Sequence, residues 1–172
     1  MSSAIWTSVD GVAWRREKGP FDVDGGLDSW LVDSCRLPGG DLLAVGARQD
    51  AAAGSRPLAF RRTGTAWRAV DLAGLGDGVT DLTSCTTTGT VTVLEGWNHS
   101  AALWRTSDGV SFEPFEIGKD ADHSGRVVAV DGGFAAPGHL FDGGASRPVV
   151  WLSADGERWR DVPVPADRVM SV

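Results

Sequence analysis

The chain has 172 residues with 42% apolar content, 23 glycines, 8 prolines, 8 tryptophans and no tyrosine. That is room for one domain or two small ones. It is too apolar for a disordered chain, and no apolar run is long enough to span a membrane. Basic residues number 16, only Lys18 and Lys119 being lysines, against 23 acidic ones, and the net charge of −7 repels a phosphate backbone, so neither nucleic acid nor a membrane is expected as a partner.

Met1 to Asp10 has neither a basic stretch nor an apolar one, so no signal peptide is expected. The first element, residues 4–18, reads Trp6-Thr-Ser-Val-Asp10-Gly11-Val-Ala-Trp14. Asp-Gly between half-apolar runs predicts a hairpin closed by a two-residue type I′ turn, and the flanking aromatics favour strands. An acidic stretch follows, Asp22-Val-Asp24-Gly-Gly-Leu-Asp28. Alternating carboxylates suit calcium, but the further ligand and terminal Glu of an EF-hand are missing, so a solvated acidic loop is the competing reading.

Three longer units come next. Residues 29–72 hold a strand with Cys35, the turn Pro38-Gly39-Gly40, the strand Leu42 to Gly46, and a hairpin from Phe60 to Trp67 whose turn is Thr63-Gly64. Residues 79–117 repeat this with Cys85, Thr88-Gly89, Val91 to Gly96, and Trp104 to Phe112 around Asp108-Gly109. Residues 124–163 repeat it with Val128, Asp131-Gly132-Gly133, Phe134 to Gly138, and Trp151 to Trp159 around Asp155-Gly156. The second aromatics of the four hairpins are 53, 45 and 47 residues apart. Repeats of that length with four strands, a to d, are the blades of a propeller. No sustained 3.6-residue apolar period exists, so helix should be nearly absent.

The expected fold is therefore all-β, a β-propeller or propeller fragment within a single domain, 1–172. It has three complete four-stranded blades plus an incomplete one made of the N-terminal hairpin and a strand at 167–172. One strand b is missing from the count. A four-bladed monomer, a piece of a longer propeller, and a homo-oligomer in which a second copy completes the ring all stay open. The hairpin aromatics Trp6, Trp14, Phe60, Trp67, Trp104, Phe112, Trp151 and Trp159 are expected to pack between blades. Cys35 and Cys85 each lie 11 residues before a glycine, Gly46 and Gly96, which reads as the same register position on neighbouring inner strands. A disulfide between them fits converging strands and would imply an oxidising, extracellular setting; two buried thiols would fit the cytoplasm.

The hairpins resemble the Asp-box, or BNR, repeat of sialidase-like propellers. Ser8-x-Asp10-Gly11-x-x-Trp14, Thr106-Ser-Asp108-Gly109-x-x-Phe112 and Ser153-x-Asp155-Gly156-x-x-Trp159 are one residue tighter than that pattern, and look closer still to repeats of uncharacterised bacterial propellers. The resemblance implies a box that stabilises the fold away from the ligand face. It also implies, for sialidases, a Tyr–Glu nucleophile pair in a six-bladed ring; this chain has no tyrosine and is too short, so that mechanism does not transfer.

In a propeller the d–a and b–c loops share one face, where ligands are usually held. Here the d–a loops are read at 20–28, 74–78 and 119–123, and the b–c loops at 48–56, 97–100 and 139–147. They gather Asp22, Asp24, Asp28, Asp77, Asp120, Asp122, Arg48, Arg56, Arg147, Trp97, Asn98, His99, His123 and His139. Trp97-Asn98-His99 has the chemistry of a sugar- or peptide-contacting platform, the bland alternative being packing of Trp97 between blades. Arg56 and Arg147 could grip a carboxylate, but each sits before a strand c in a repeated Ser-Arg-Pro, which argues for a structural role. The three histidines lack zinc-ligand spacing, no carboxylate pair stands out for hydrolysis, and no cofactor is implied. The expectation is a non-catalytic binding or scaffold module with a protein or glycan partner. The alternatives are a sialidase-like carbohydrate-active enzyme, and a purely structural self-assembling fragment or engineered repeat.

Overall fold

The computed structural model describes residues 3–21, 28–51, 54–118, 121–122, 125–142 and 145–164. The fold is all-β; among the described residues the only helical element is a single 3₁₀ turn, Ala73–Leu75. An N-terminal hairpin pairs β1 (Trp6–Thr7) with β2 (Arg15–Arg16). The first blade orders β3 (Ser29–Arg36), β4 (Leu42–Asp50), β5 (Gly54–Thr63) and β6 (Ala66–Ala69). The second orders β7 (Asp81–Thr88), β8 (Val91–Trp97), β9 (Ala101–Thr106) and β10 (Glu113–Phe115). In the third, the inner strand is split into β11 (Ala121–Asp122) and β12 (Val128–Val130), both paired with β13 (Gly133–Asp142), and followed by β14 (Ala145–Ser153) and β15 (Arg160–Pro163). That sheet has five strands rather than the expected four. The expected closing strand at 167–172 lies outside the described residues.

Alternation along each strand gives every blade a backward face, toward the preceding unit, and a forward face, toward the next. Phe60, Trp104 and Trp151 pair with Ala44, Leu94 and Ala136, and all six are buried. The apolar clusters show which way they point. Phe60 and Trp67 pack with Phe21 and Ile5, back toward the N-terminal hairpin. Trp104 and Phe112 pack with Leu43, Val45 and Ala59 of the first blade. Trp151 packs with Val93 and Leu103 of the second, and Trp159 stacks on Phe115 with ring centroids 5.9 Å apart. So the hairpin aromatics do pack between blades, always backward. The exceptions are Trp6 and Trp14, which are 54% and 59% exposed because no unit precedes theirs among the described residues.

The Asp-Gly hairpins are not the two-residue turns their sequence suggests. Strand pairing stops at Thr7↔Arg15, Arg105↔Glu113 and Leu152↔Arg160, leaving seven-residue loops. Only the glycine takes positive φ: 74° at Gly11, 70° at Gly109 and 73° at Gly156. The aspartate instead turns inward. Asp10 Oδ1 accepts the backbone N–H groups of Val12 and Ala13, both at 2.9 Å, while Ser8 Oγ accepts that of Gly11 at 2.8 Å. Asp108 with Thr106, and Asp155 with Ser153, repeat the arrangement. The divergent copy, Thr63-Gly64-Thr65-Ala66, is the one that makes a two-residue turn.

Cys35 and Cys85 form a disulfide, Cα to Cα 5.7 Å. Their shared chain spacing conceals a register difference. Cys35 pairs with Leu43 and therefore faces forward, whereas Cys85 pairs with Leu94 and faces backward. The cause is the turn between strands a and b, five residues from Leu37 to Asp41 in the first blade but two, Gly89 and Thr90, in the second. Residues in one register would point the same way and never meet.

Candidate functional site

The d–a and b–c loop face carries two clefts. One, of about 620 Å³, lies where the second and third blades adjoin and is lined by Ser84, Glu95, Trp97, His99, Ser100 and Arg126 among others. The other, of about 800 Å³, lies between the first and second blades and is lined by Arg48, Arg56, Asp71, Asp77 and His99 among others. His99 touches both. A third, of about 750 Å³, opens on the opposite face among the turns carrying Ser107, Ser111 and Asp155.

Trp97 ends β8 and is half exposed, at 50%. Its loop is held from three directions. Asn98 N–H reaches Ser100 O at 2.9 Å, Asn98 Nδ2 donates to Asp77 O at 3.1 Å, and Thr80 N–H reaches Trp97 O at 2.9 Å. His99 takes a left-handed φ of 58°, the only such non-glycine residue among those described. Gly78 has a positive φ of 82°, and a Cβ there would stand 2.7 Å from Asn98 Oδ1, so the Asn98 amide would have to shift. The platform is thus docked on the loop before strand a rather than projecting freely.

Beneath it sits Glu95, buried at 5% exposure in a strand otherwise apolar or small. One oxygen accepts the Val127 N–H at 2.7 Å and the other is engaged by the Ser84 hydroxyl. Glu95 occupies the position of Val45 in the first blade and Pro137 in the third, one residue before the strand-b glycine. In the first blade the residue paired with Val45 is Asp33, and its carboxylate accepts the Cys85 N–H at 2.9 Å. Cys85 and Val127 are equivalent inner-strand positions, so the two carboxylates do one job, each joining a blade to the inner strand of the next. Asp33 also pairs with Arg126, so one carboxylate ties together all three blades. Sequence reading missed Asp33, Ser84, Glu95 and Arg126; an acid at a core position of a repeat was the available signal for Glu95.

The remaining expected residues are dispersed. Arg48, Arg56, His139 and Arg147 are on strands, not loops, because the b–c hairpins extend farther than expected: Arg48 pairs with Arg56, His139 with Pro148, and Arg147 with Leu140. Asp122 is likewise on β11, paired with His139. Arg56 meets Asp50 at 3.6 Å and Arg147 meets Asp161 at 3.4 Å. His139 and Arg147 line neither cleft on this face. Of the acidic stretch only Asp28 is described, and its carbonyl accepts the Gln49 N–H; Asp22 and Asp24, like Asp120 and His123, lie outside the described residues. Among the described residues no group of three or more His, Cys, Asp or Glu side chains is placed to hold a metal ion.

The three turn aspartates are the strongly perturbed acids. Backbone N–H groups, those of Ala13 and Ser111 foremost, hold Asp10 and Asp108 at about 2, and the Arg158 N–H pulls Asp155 down as well. None of the three lies on the loop face.

No family model matches the chain, and no curated protein matches it. Among solved structures it is similar to Zg3597, a family 117 glycoside hydrolase produced by the marine bacterium Zobellia galactanivorans. The identity is 12% and the TM-score 0.51, over 95% of this chain and 61% of that one. Also similar are a structure described with the GH130 family of mannoside phosphorylases, which contains glycoside hydrolases that target β-1,2 mannosidic linkages in Candida mannan (12% identity, TM-score 0.48, 98% of this chain, 63% of that one), and fructan 1-exohydrolase IIa from Cichorium intybus (11%, 0.42, 94% and 52%). The chain spans about three fifths of the length of the first two. At these identities the likeness is one of fold alone, an all-β propeller whose sheets are not closed into a ring among the described residues.

Proposed function

We propose that the chain is a non-catalytic, carbohydrate-binding propeller module that receives a sugar in the cleft beside Trp97. The observation that carries this is the half-exposed Trp97 ring at the rim of a 620 Å³ cleft. The ring offers an apolar face to stack on a sugar, and Ser100, His99 and Arg126 line the same cleft to hydrogen-bond the hydroxyls. The fold likeness to Zg3597, a glycoside hydrolase, supports a carbohydrate ligand. Glu95, the buried acid of the cleft, has one oxygen on the Val127 N–H of the next blade and the other on the Ser84 hydroxyl of its own, which supports binding without catalysis. The seven-residue turns around Asp10, Asp108 and Asp155 support the Asp-box resemblance and its stabilising role, and the disulfide supports an extracellular setting.

A glycan array probed with the wild-type chain and with Trp97→Ala tests this. Binding to at least one glycan class, lost in Trp97→Ala while its thermal midpoint stays near wild type, is expected. Equal glycan retention by both proteins, or none by either, overturns it. Turnover of an aryl-glycoside panel that disappears in Glu95→Gln would replace it with the enzyme reading.

A further inference from the structure

We infer that the exposed backward face of the N-terminal hairpin, Trp6 and Trp14, is one half of a blade-to-blade interface, and that its occupant is the forward face of the third blade of a second copy. The internal repeat says what covers such a face. At each of the three junctions described, the hairpin aromatics of one unit bury against the forward face of the unit before it. Trp6 stands at the position of Phe60, Trp104 and Trp151, and Ile5, next to it, turns the other way into the first blade, as the repeat requires.

The same chain displays the complementary half. Val128 pairs with Ala135 and Val130 with Gly133, placing both on the forward face of the third blade, where they are 44% and 41% exposed. Val150 and Val162, paired with each other, continue that face and are only partly buried. Where the first and second blades present a bracing carboxylate to the next inner strand, the third has Pro137. One molecule therefore carries both halves of one interface at opposite ends, so two copies related by a two-fold axis satisfy each other twice and close.

Sedimentation velocity of the full chain is expected to give twice the 18.1 kDa of one chain. Trp14→Glu and Val130→Glu, both surface changes, should each give single chains with an unchanged circular-dichroism spectrum. Mixing the two variants should restore a pair, because one of the two interfaces is then wild type on both sides. Single wild-type chains at every concentration, an unaffected pair in either variant, or no restoration on mixing would each overturn the inference. A population that lengthens without limit as concentration rises also overturns it, since the ring would then not close.

Discussion

Cys35 and Cys85 meet across the junction of the first two blades because one faces forward and the other backward, a difference produced by three extra residues in the turn between Arg36 and Leu42. The bond closes a loop with a sequence separation of 50. In the chain-entropy view a loop of that size is worth about 4 kcal/mol, and measured bonds usually give about 2–4. Reduction, or Cys85→Ser, should lower the thermal midpoint by several degrees. Scanning calorimetry with and without reductant checks this; coincident traces would refute it.

The turn aspartates make stability depend on acid. Asp108 titrates at about 2 instead of the ordinary 3.8. A lowered folded-state value means the contribution is complete above the ordinary value and vanishes as pH falls through about 2. Urea midpoints of the wild type should therefore drop between about pH 4 and pH 2, and Asp108→Asn should show a flatter profile there. An identical slope in both proteins would count against the turn's role.

Glu95→Ala should leave the Val127 N–H and the Ser84 hydroxyl without their acceptor at a buried junction, a loss of about 1–3 kcal/mol for each polar group stranded. Glu95→Gln retains a carbonyl and should lose less. Chemical denaturation of the pair gives the ordering, and equal stability of the two variants would contradict it.

Gly46 and Gly96, inside strand b, lie against the bulge of strand a. A Cβ on Gly96 would strike Asp81 O and stand 3.1 Å from Trp104 and 3.2 Å from Leu82, next to the register shift between Leu82 and Ser84. Gly96→Ala should cost about 1–3 kcal/mol through overpacking. Gly39→Ala, with nothing within 4 Å, should be neutral. Denaturant midpoints that fail to separate the two would show the bulge to be soft.

The all-β propeller organisation was legible because alternation, turn glycines and paired aromatics recur along the chain. What escaped was anything decided by a one-residue offset. The cysteines' opposite facing depends on turn length, which chain counting conceals. Asp-Gly promised a tight turn because both residues tolerate positive φ, yet Asp10, Asp108 and Asp155 use their carboxylates on backbone N–H groups and so need a wider loop. Trp97 could be singled out from its polar neighbours, and the fold places it half exposed beside a cleft. Asp33 and Arg126, from blades that do not adjoin, could be joined only by the fold, and long strand extensions withdrew Arg48, Arg56 and Arg147 from the loops.

The three apolar clusters each belong to one pair of adjoining units, and no cluster among the described residues spans more. Such a molecule comes apart like a row of coupled links. Amide exchange should be fastest in the N-terminal hairpin, which among the described residues has one neighbour within its own chain and two short strands. It should be slowest in β4, β7 and β8, on either side of the cystine, so that this pair of sheets persists as a partly folded remnant after the ends have frayed.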